Sequence, residues 1–290
     1  AIILGLVEGV TEYLPISSTG HLIIASSLLG LDGHGLSPEA ALRTRSAVNA
    51  FNIVIQGGAI LAVVGLYWSR FVQMLRGLLG KDNAGIALLI NLGIAFAPAA
   101  VLGKLLDDWL EAHLFHPAPV VAALALGGLY MIVVDQRRRG GLASPRIHSG
   151  LKNLEDLRPH EALMIGLLQC VAMIPGTSRS MMTITGGYFA GLKPTAAAEF
   201  SFLLGVPTLT AACGYKLYKD MYSGEGEGMV QTLGAAPIIV GVVVAALSAA
   251  VAVHWLVGFL GRRGLTPFGW YRLVLAATLL GLIVGGVVRF

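Results

Sequence analysis

The sequence has little charge. Lys, Arg, Asp and Glu make up 12% of its 290 residues, whereas a soluble domain carries roughly twice that share. The two cysteines lie in apolar stretches, so a disulfide framework is not expected. No G-x-x-x-x-G-K-[ST] phosphate loop is present. The net charge of +4 lies in loops, which argues against nucleic-acid binding. With 56% hydrophobic residues, the chain is predicted to be an all-α polytopic membrane protein.

Long apolar runs recur along the chain. Runs of about 20 residues can cross ~30 Å of hydrocarbon. They predict six transmembrane helices, at about 48–68, 84–104, 118–136, 196–217, 234–258 and 268–288. Basic residues such as Arg70, Arg137 and Arg262 follow the first, third and fifth spans, so these loops should be cytoplasmic. The loops after the second and fourth spans are acidic, with Asp108 and Glu225 among their residues, and should face outside.

Two polar segments, at about 1–28 and 160–191, interrupt the apolar pattern and look alike. Their cores are GLVEGVTEYLPISSTGH from position 5 and GLLQCVAMIPGTSRS from position 166. Gly5 and Gly166 are 161 positions apart and Pro15 and Pro175 are 160 apart, so this alignment drops one residue. Each segment has a short apolar helix, a Pro break and a restart rich in hydroxyl residues. Irregular backbone at membrane depth requires surrounding protein or water.

Both segments are therefore predicted to be re-entrant helical hairpins. The loop charges predict that the first hairpin enters the membrane from outside and the second from the cytoplasm. The expected architecture is one membrane domain over 1–290, built as an inverted-topology repeat of about 1–136 and 160–290. Such repeats place broken helices together near the bilayer midplane.

Glu8 and Glu12 are four residues apart and share one face of a helix. A carboxylate in a membrane span costs about 2.5–3.5 kcal/mol on insertion scales. Two such groups either share a proton or bind a cation. Mg²⁺ or Ca²⁺ suits oxygen ligands, and Mg²⁺ often bridges carboxylates to substrate phosphates. The alternative is a hairpin near the surface with solvated Glu side chains.

The restart after Pro15 contains Ser17, Ser18, Thr19 and His21. Ser and Thr cap free backbone N–H groups, and the same groups favour a bound phosphate. A hydroxyl close before a histidine could be a nucleophile with that histidine as its base. His21 could instead accept the phosphoryl group or protonate a leaving group. A capped helix start with an interfacial histidine is the alternative.

Arg179 begins an otherwise apolar helix. Its planar guanidinium matches the geometry of phosphate. Four hydroxyl residues surround it in the sequence, namely Thr177, Ser178, Ser180 and Thr183. As plain scaffolding, Arg179 would pair with Glu199 or Glu8. Gln56, on the first span, is a candidate for supporting the site or for an ordinary interhelical hydrogen bond.

These motifs resemble the bacterial undecaprenyl-pyrophosphate phosphatase family of the bacitracin-resistance type. Residues 8–21 and 175–183 are similar to its two motifs, and residues 51–64 to an intervening span. The resemblance implies an integral membrane phosphatase of the bacterial inner membrane, with its active site toward the periplasm and a divalent-cation requirement. It would hydrolyse undecaprenyl diphosphate to undecaprenyl phosphate and inorganic phosphate, recycling the carrier lipid for peptidoglycan synthesis. Membrane lipid and bacitracin, as a competitor for the substrate, are the expected partners, and a homodimer is left open.

We also assign roles to these residues as a hypothesis for the mechanism. The catalytic set is Glu8, Glu12, Ser18, His21 and Arg179, with Glu8 and Glu12 as metal ligands. The substrate-binding set is Ser17, Thr19, Gln56, Thr177, Ser178, Arg179, Ser180 and Thr183. We expect Ser18 to attack the terminal phosphorus with His21 in proton transfer. Attack by His21, or by water with Glu12 or His21 as base, stays open. The competing hypothesis is a transporter or flippase of a phosphorylated prenyl lipid.

Overall fold

The computed structural model describes residues 1–31, 37–140, 152–223 and 233–288, and Glu225 of the predicted acidic loop lies outside them. The described residues are mainly helical and contain no β-strand, apart from one isolated bridge between Lys152 and Leu192. The α-helices are α1 (Ile2–Thr11), α2 (Ser18–Leu28), α3 (Pro38–Leu66), α4 (Trp68–Leu78), α5 (Asn83–Leu114), α6 (Pro117–Arg138), α7 (Pro159–Val171), α8 (Arg179–Phe189), α9 (Pro194–Ser223), α10 (Ala235–Arg263) and α11 (Thr266–Val284).

Six of the helices in the described ranges are long and apolar enough to cross a membrane, which confirms the six predicted spans. These are Glu39–Leu66, Asn83–Leu106, Pro117–Arg138, Pro194–Tyr215, Ala235–Arg263 and Thr266–Val284. The first begins well before its predicted start at position 48. The Ser37 hydroxyl there accepts a hydrogen bond from the Ala40 N–H at 3.4 Å, and Pro38 occupies the first helical position. Local capping therefore extends this helix beyond its apolar run.

Helix α4 lies where the sequence analysis assigned a cytoplasmic loop. Its Arg70 donates to Glu199 of α9 at 2.6 Å and to Glu155 at 2.9 Å. A short helix that mixes arginines with apolar residues has a low mean hydropathy, so a search for long apolar runs does not find it. Glu199 thus pairs with Arg70, and Arg179 does not pair with it as the scaffolding alternative would require.

The two polar segments each form a pair of short helices in contact. Helices α1, α2, α7 and α8 have 10, 11, 13 and 11 residues. At 1.5 Å per residue each is about 15–20 Å long, roughly half of the hydrocarbon thickness. Helix α1 packs against α2, and α7 against α8. These lengths suit re-entrant hairpins, whose entry from opposite sides stays a prediction.

The turns of the two hairpins share an unusual backbone conformation. Ser17 and Ser178 have φ values of 71° and 77°, and no other non-glycine residue in the described ranges has a positive φ. Such a conformation costs on the order of 1–3 kcal/mol at a non-glycine residue. The two serines are 161 positions apart, like Gly5 and Gly166. The structural correspondence therefore needs no dropped residue before these serines, and the sequence alignment was wrong by one position there.

Each hairpin packs against a membrane span from the other half of the chain. Helix α1 packs against α10, and α7 packs against α5. Glycines allow both approaches, because a Cβ at Gly5 would lie 2.6 Å from the carbonyl oxygen of Gly241, and one at Gly166 would lie 2.4 Å from that of Ala95. Close backbone packing at small residues is the usual way for helices to associate in lipid. Each hairpin is held by a span of the other half, which brings the two turns together.

Candidate active site

The two hairpin turns meet directly. The buried Ser180 hydroxyl of the second hairpin donates to the Leu14 carbonyl oxygen of the first at 2.9 Å. Arg179, at the start of α8, forms an ion pair with Glu12, which directly follows α1, with 3.3 Å between Nη2 and Oε1. Residues 167 positions apart in the sequence thus form one buried polar cluster.

Glu12 is the centre of this cluster. Its Oε2 accepts a hydrogen bond from the Ser18 hydroxyl at 2.8 Å, and its Oε1 accepts one from Arg179. Only 7% of Glu12 is exposed to solvent. A hydroxyl bonded to a carboxylate that a third group orients is the arrangement found around activated nucleophiles. The geometry therefore pairs Ser18 with Glu12.

Arg179 is fixed on several sides. Its Nη1 donates to the Ser201 carbonyl oxygen of α9 at 3.0 Å. Its guanidinium carbon lies 5.4 Å from the centroid of the Tyr13 ring, within the range of a cation–π contact. Its Nε is buried and has no hydrogen-bond partner. One of the three guanidinium nitrogens of Arg179, Nε, thus has no acceptor in a rigid setting.

Glu8 is fully buried, and neither of its carboxylate oxygens has a hydrogen-bond partner. Gln56 of α3 lies beside it, and the Gln56 amide oxygen accepts from the Cys213 thiol at 2.9 Å. Two unpartnered oxygens on a carboxyl group one helical turn from Glu12 are suitable ligands for an oxygen-coordinated divalent cation. The described residues hold no group of three or more His, Cys, Asp or Glu that could bind a metal. A cation here would therefore need oxygens from the substrate, as Mg²⁺ commonly does.

Both ring nitrogens of His21 contact groups other than the Ser18 hydroxyl. Its Nδ1 lies 2.7 Å from the Ser17 carbonyl oxygen, and its Nε2 lies 2.7 Å from the Tyr271 hydroxyl of α11. Because a carbonyl only accepts, Nδ1 carries a proton. The rings of His21 and Tyr271 also stack, with centroids 5.6 Å apart. The expected Ser18–His21 pair is absent from the described contacts, and His21 instead joins the first turn to α11.

The remaining predicted residues lie either in the two turns or in the helices packed around them. Ser178 caps α8, with its hydroxyl accepting from the Met181 N–H at 3.3 Å. Thr183 is fully buried, and its hydroxyl lies 2.6 Å from that of Ser201 between α8 and α9. Ser17 and Thr177 lie buried in the two turns, and Thr19 lies half-buried in the first turn of α2.

Arg272 is a residue that the sequence analysis missed. It is fully buried in α11. Its guanidinium donates to four backbone carbonyls, those of Gly176 and Thr177 in the second turn at 2.8 Å each, and those of Ala123 and Leu124 in α6 at 2.8 and 3.3 Å. An arginine inside an apolar span was the signal that could have found it. Together with Tyr271, it connects α11 to both hairpin turns.

Comparisons with known proteins show the family of the chain. The family model described as bacitracin resistance protein BacA matches residues 1–278. The chain belongs to this family. It is 42% identical over 285 residues to an undecaprenyl-diphosphatase of Sorangium cellulosum, covering 97% of this chain and 85% of that protein. It is 44% identical over 292 residues to undecaprenyl-diphosphatase 2 of Rhodospirillum rubrum, covering 100% and 96%. An undecaprenyl-diphosphatase of Neisseria meningitidis is 41% identical over 288 residues, with 99% and 95% covered. These names do not support the transporter alternative.

Proposed function

We propose that this member of the BacA family is an integral membrane enzyme that hydrolyses undecaprenyl diphosphate to undecaprenyl phosphate and inorganic phosphate. The observation that carries the proposal is the buried chain of contacts from Ser18 through Glu12 to Arg179. In this proposal Ser18 is the nucleophile, Glu12 the base and Arg179 the phosphate-binding cation, and the contacts among them support these roles. The names of the relatives supply the substrate.

In the first step, Ser18 Oγ attacks the terminal phosphorus. A bond forms between Oγ and phosphorus, and the bond from phosphorus to the bridging oxygen breaks. Glu12 takes the hydroxyl proton through its 2.8 Å hydrogen bond, and undecaprenyl phosphate leaves with the electron pair and then this proton. Arg179 stabilises the charge that spreads over the phosphoryl oxygens.

In the second step, water attacks the phosphoserine. Glu12 accepts a proton from the water and returns one to Ser18 Oγ as the bond between Oγ and phosphorus breaks. Inorganic phosphate leaves and the enzyme is restored. Direct attack of water on the substrate, with Glu12 as base, is the alternative and would leave no phosphoserine.

Glu8 and Glu12 would hold a divalent cation such as Mg²⁺ or Ca²⁺. The bound cation would neutralise negative charge on the diphosphate. The unpartnered oxygens of Glu8 support this assignment. In this scheme His21 is a positioning residue. Its hydrogen bond to the Ser17 carbonyl oxygen fixes the start of α2.

The proposal extends to location and partners. The enzyme would lie in the bacterial inner membrane as one domain, with an inverted repeat whose first hairpin opens toward the periplasm. The basic residues after three of the spans support this orientation. Undecaprenyl diphosphate hydrolysed there would return the carrier lipid to peptidoglycan synthesis. Bacitracin, by sequestering the substrate, would lower the rate, and a homodimer would not be needed for a site built from one chain.

The test is phosphate release from undecaprenyl diphosphate by the purified protein in detergent. Ser18→Ala and Glu12→Gln should each lower the rate at least ~100-fold, the usual scale for losing acid–base chemistry. Ser248→Ala is a matched control, because the Ser248 hydroxyl bonds to a carbonyl of its own helix at 2.8 Å. Rapid quenching with labelled substrate should trap phosphoserine in the parent. A parent that folds yet releases no phosphate with any divalent cation would refute the proposed function.

A further inference from the structure

A cavity of about 480 Å³ lies between α5, α7 and α9, on a side of Arg179 that the mechanism above leaves unused. Its walls are mostly apolar, with Phe96, Leu110, Phe115, Met173, Leu209 and Tyr215 among them. Lys104, Gln169, Arg179 and Thr208 are its polar lining residues. The size is that of a pocket for a small organic molecule. It is too small for a whole undecaprenyl tail.

Two of the residues that line this cavity each have a buried N–H donor without a hydrogen-bond partner. These donors are Nε2 of Gln169, which is 2% exposed, and Nε of Arg179, whose side chain is 9% exposed. The amide oxygen of Gln169 accepts from the Thr208 hydroxyl at 3.3 Å, which leaves the amide nitrogen for another group. A buried donor without a partner is costly, and two on residues that line one cavity point to a missing acceptor. Because one of the donors belongs to an arginine, that acceptor should be an anion.

The internal repeat supports the same conclusion. Gln169 is 161 positions after Glu8, the spacing that also relates Gly5 to Gly166 and Ser17 to Ser178. Glu8 packs beside Gln56 of α3, and Gln169 bonds to Thr208 of α9. Equivalent positions therefore carry unpartnered acceptors in the first hairpin and an unpartnered donor in the second. The first suits a cation and the second suits a phosphate oxygen.

We propose that Gln169 Nε2 and Arg179 Nε bind the lipid-linked phosphate of the substrate at this cavity, whose apolar walls receive the first isoprene units of the tail. The assignment rests on the proposed function. Arg179 pairs with Glu12 through Nη2, beside Ser18 where the terminal phosphate reacts, and it is also one of the residues that line the cavity. The phosphate next to the tail must lie on the apolar side. Gln169 is thus a substrate-binding residue that takes no part in bond breaking.

Gln169→Leu tests this assignment, because leucine keeps the side-chain bulk and removes both donors. The purified full chain is assayed with undecaprenyl diphosphate in detergent and a divalent cation. KM should rise ~10-fold or more, as expected for one hydrogen bond to a charged group, with kcat changed far less. Inhibition by the product undecaprenyl phosphate should weaken by a similar factor. Inhibition by inorganic phosphate, which occupies the terminal-phosphate position, should stay as in the parent.

Two further variants complete the test. Gln169→Glu should weaken product inhibition more than Gln169→Leu does, because a carboxylate repels phosphate. Gln169→Asn keeps the amide but withdraws it by one methylene, so it should show the same pattern if the leucine variant fails to fold. Gln73→Leu is the matched control, because Gln73 of α4 bonds to Arg70 away from the cavity. Its kinetic constants should equal those of the parent.

The outcomes separate this assignment from the proposed function. An active parent, with unchanged KM and product inhibition in Gln169→Leu, overturns the assignment alone. Equal weakening of inhibition by undecaprenyl phosphate and by inorganic phosphate also overturns it, because Gln169 would then only support the whole site. A folded parent that releases no phosphate overturns the proposed function, and the assignment with it.

Discussion

Arg272→Lys separates the geometric role of a buried guanidinium from its charge. Arg272 joins two elements, because it donates to the Gly176 and Thr177 carbonyls of the second turn and to two carbonyls of α6. Lysine keeps the positive charge but offers one nitrogen on a flexible stem, which cannot span both elements. At least two of the four bonds should be lost.

The expected magnitude follows from those bonds. Hydrogen bonds to a charged group contribute about 1.5–3 kcal/mol each, so the restraint on the second turn falls by about 3–6 kcal/mol. Arg179 and Ser178 directly follow this turn, and a displacement of about 1 Å at a reacting group can cost ~100-fold in rate. We therefore expect kcat for phosphate release to fall ~100-fold, although Arg272 does not touch the reacting atoms.

The assay is steady-state phosphate release together with thermal unfolding in the same detergent. Arg272→Lys should lower the unfolding temperature and kcat together. Arg262→Lys is the matched control, because the exposed Arg262 bonds only to Gly258 of its own helix at 3.1 Å among its described contacts. A kcat within about threefold of the parent would refute the reasoning that Arg272 positions the turn.

Three other results are expected. Gly166→Ala should cost about 1–3 kcal/mol in unfolding free energy by overpacking, measured as a lower unfolding temperature, whereas Gly93→Ala, where a Cβ meets nothing within 4 Å, should not. EDTA should stop phosphate release, Mg²⁺ or Ca²⁺ should restore it, and Glu8→Gln should move the metal titration curve to higher concentration; an unmoved curve would remove Glu8 from the cation site. Asp135→Asn should cost about 3–5 kcal/mol, because its buried carboxylate pairs with two arginines and accepts from Thr266 N and Oγ1 at 3.1 and 2.7 Å. Unfolding temperatures equal to the parent would contradict that estimate.

Much of the fold was predictable because the membrane imposes it locally. An apolar run of sufficient length must be helical in lipid, so the six spans follow from hydropathy. Helix α4 was missed because its arginines make it polar on average, while tertiary contacts from Arg70 to Glu155 and Glu199 hold it. The start of α3 at Pro38 depends on the Ser37 cap, which hydropathy does not report.

The candidate site was predictable only as a set of residue types. Glu8, Glu12 and Arg179 stood out because charged groups are costly in an apolar chain. Their partners did not follow from the sequence. Ser18 lies three residues from His21, yet its hydroxyl bonds to Glu12. The positive φ of Ser17 sets the direction of α2, and no propensity predicts such a conformation at serine.

The sequence by itself determined the membrane class, the spans, the two related hairpins and the motifs that carry phosphate chemistry, because each depends on residue type and local spacing. The tertiary structure decided which charged groups pair, that His21 turns to Tyr271, that Arg272 fastens the second turn, and that Gln169 and Arg179 share a cavity wall. The pairs Glu12–Arg179 and His21–Tyr271 join the two halves of the chain, whereas Arg272 reaches the second turn within the same half. The physical reason is that a partner 95 to 250 positions away leaves no local pattern, and only packing selects it.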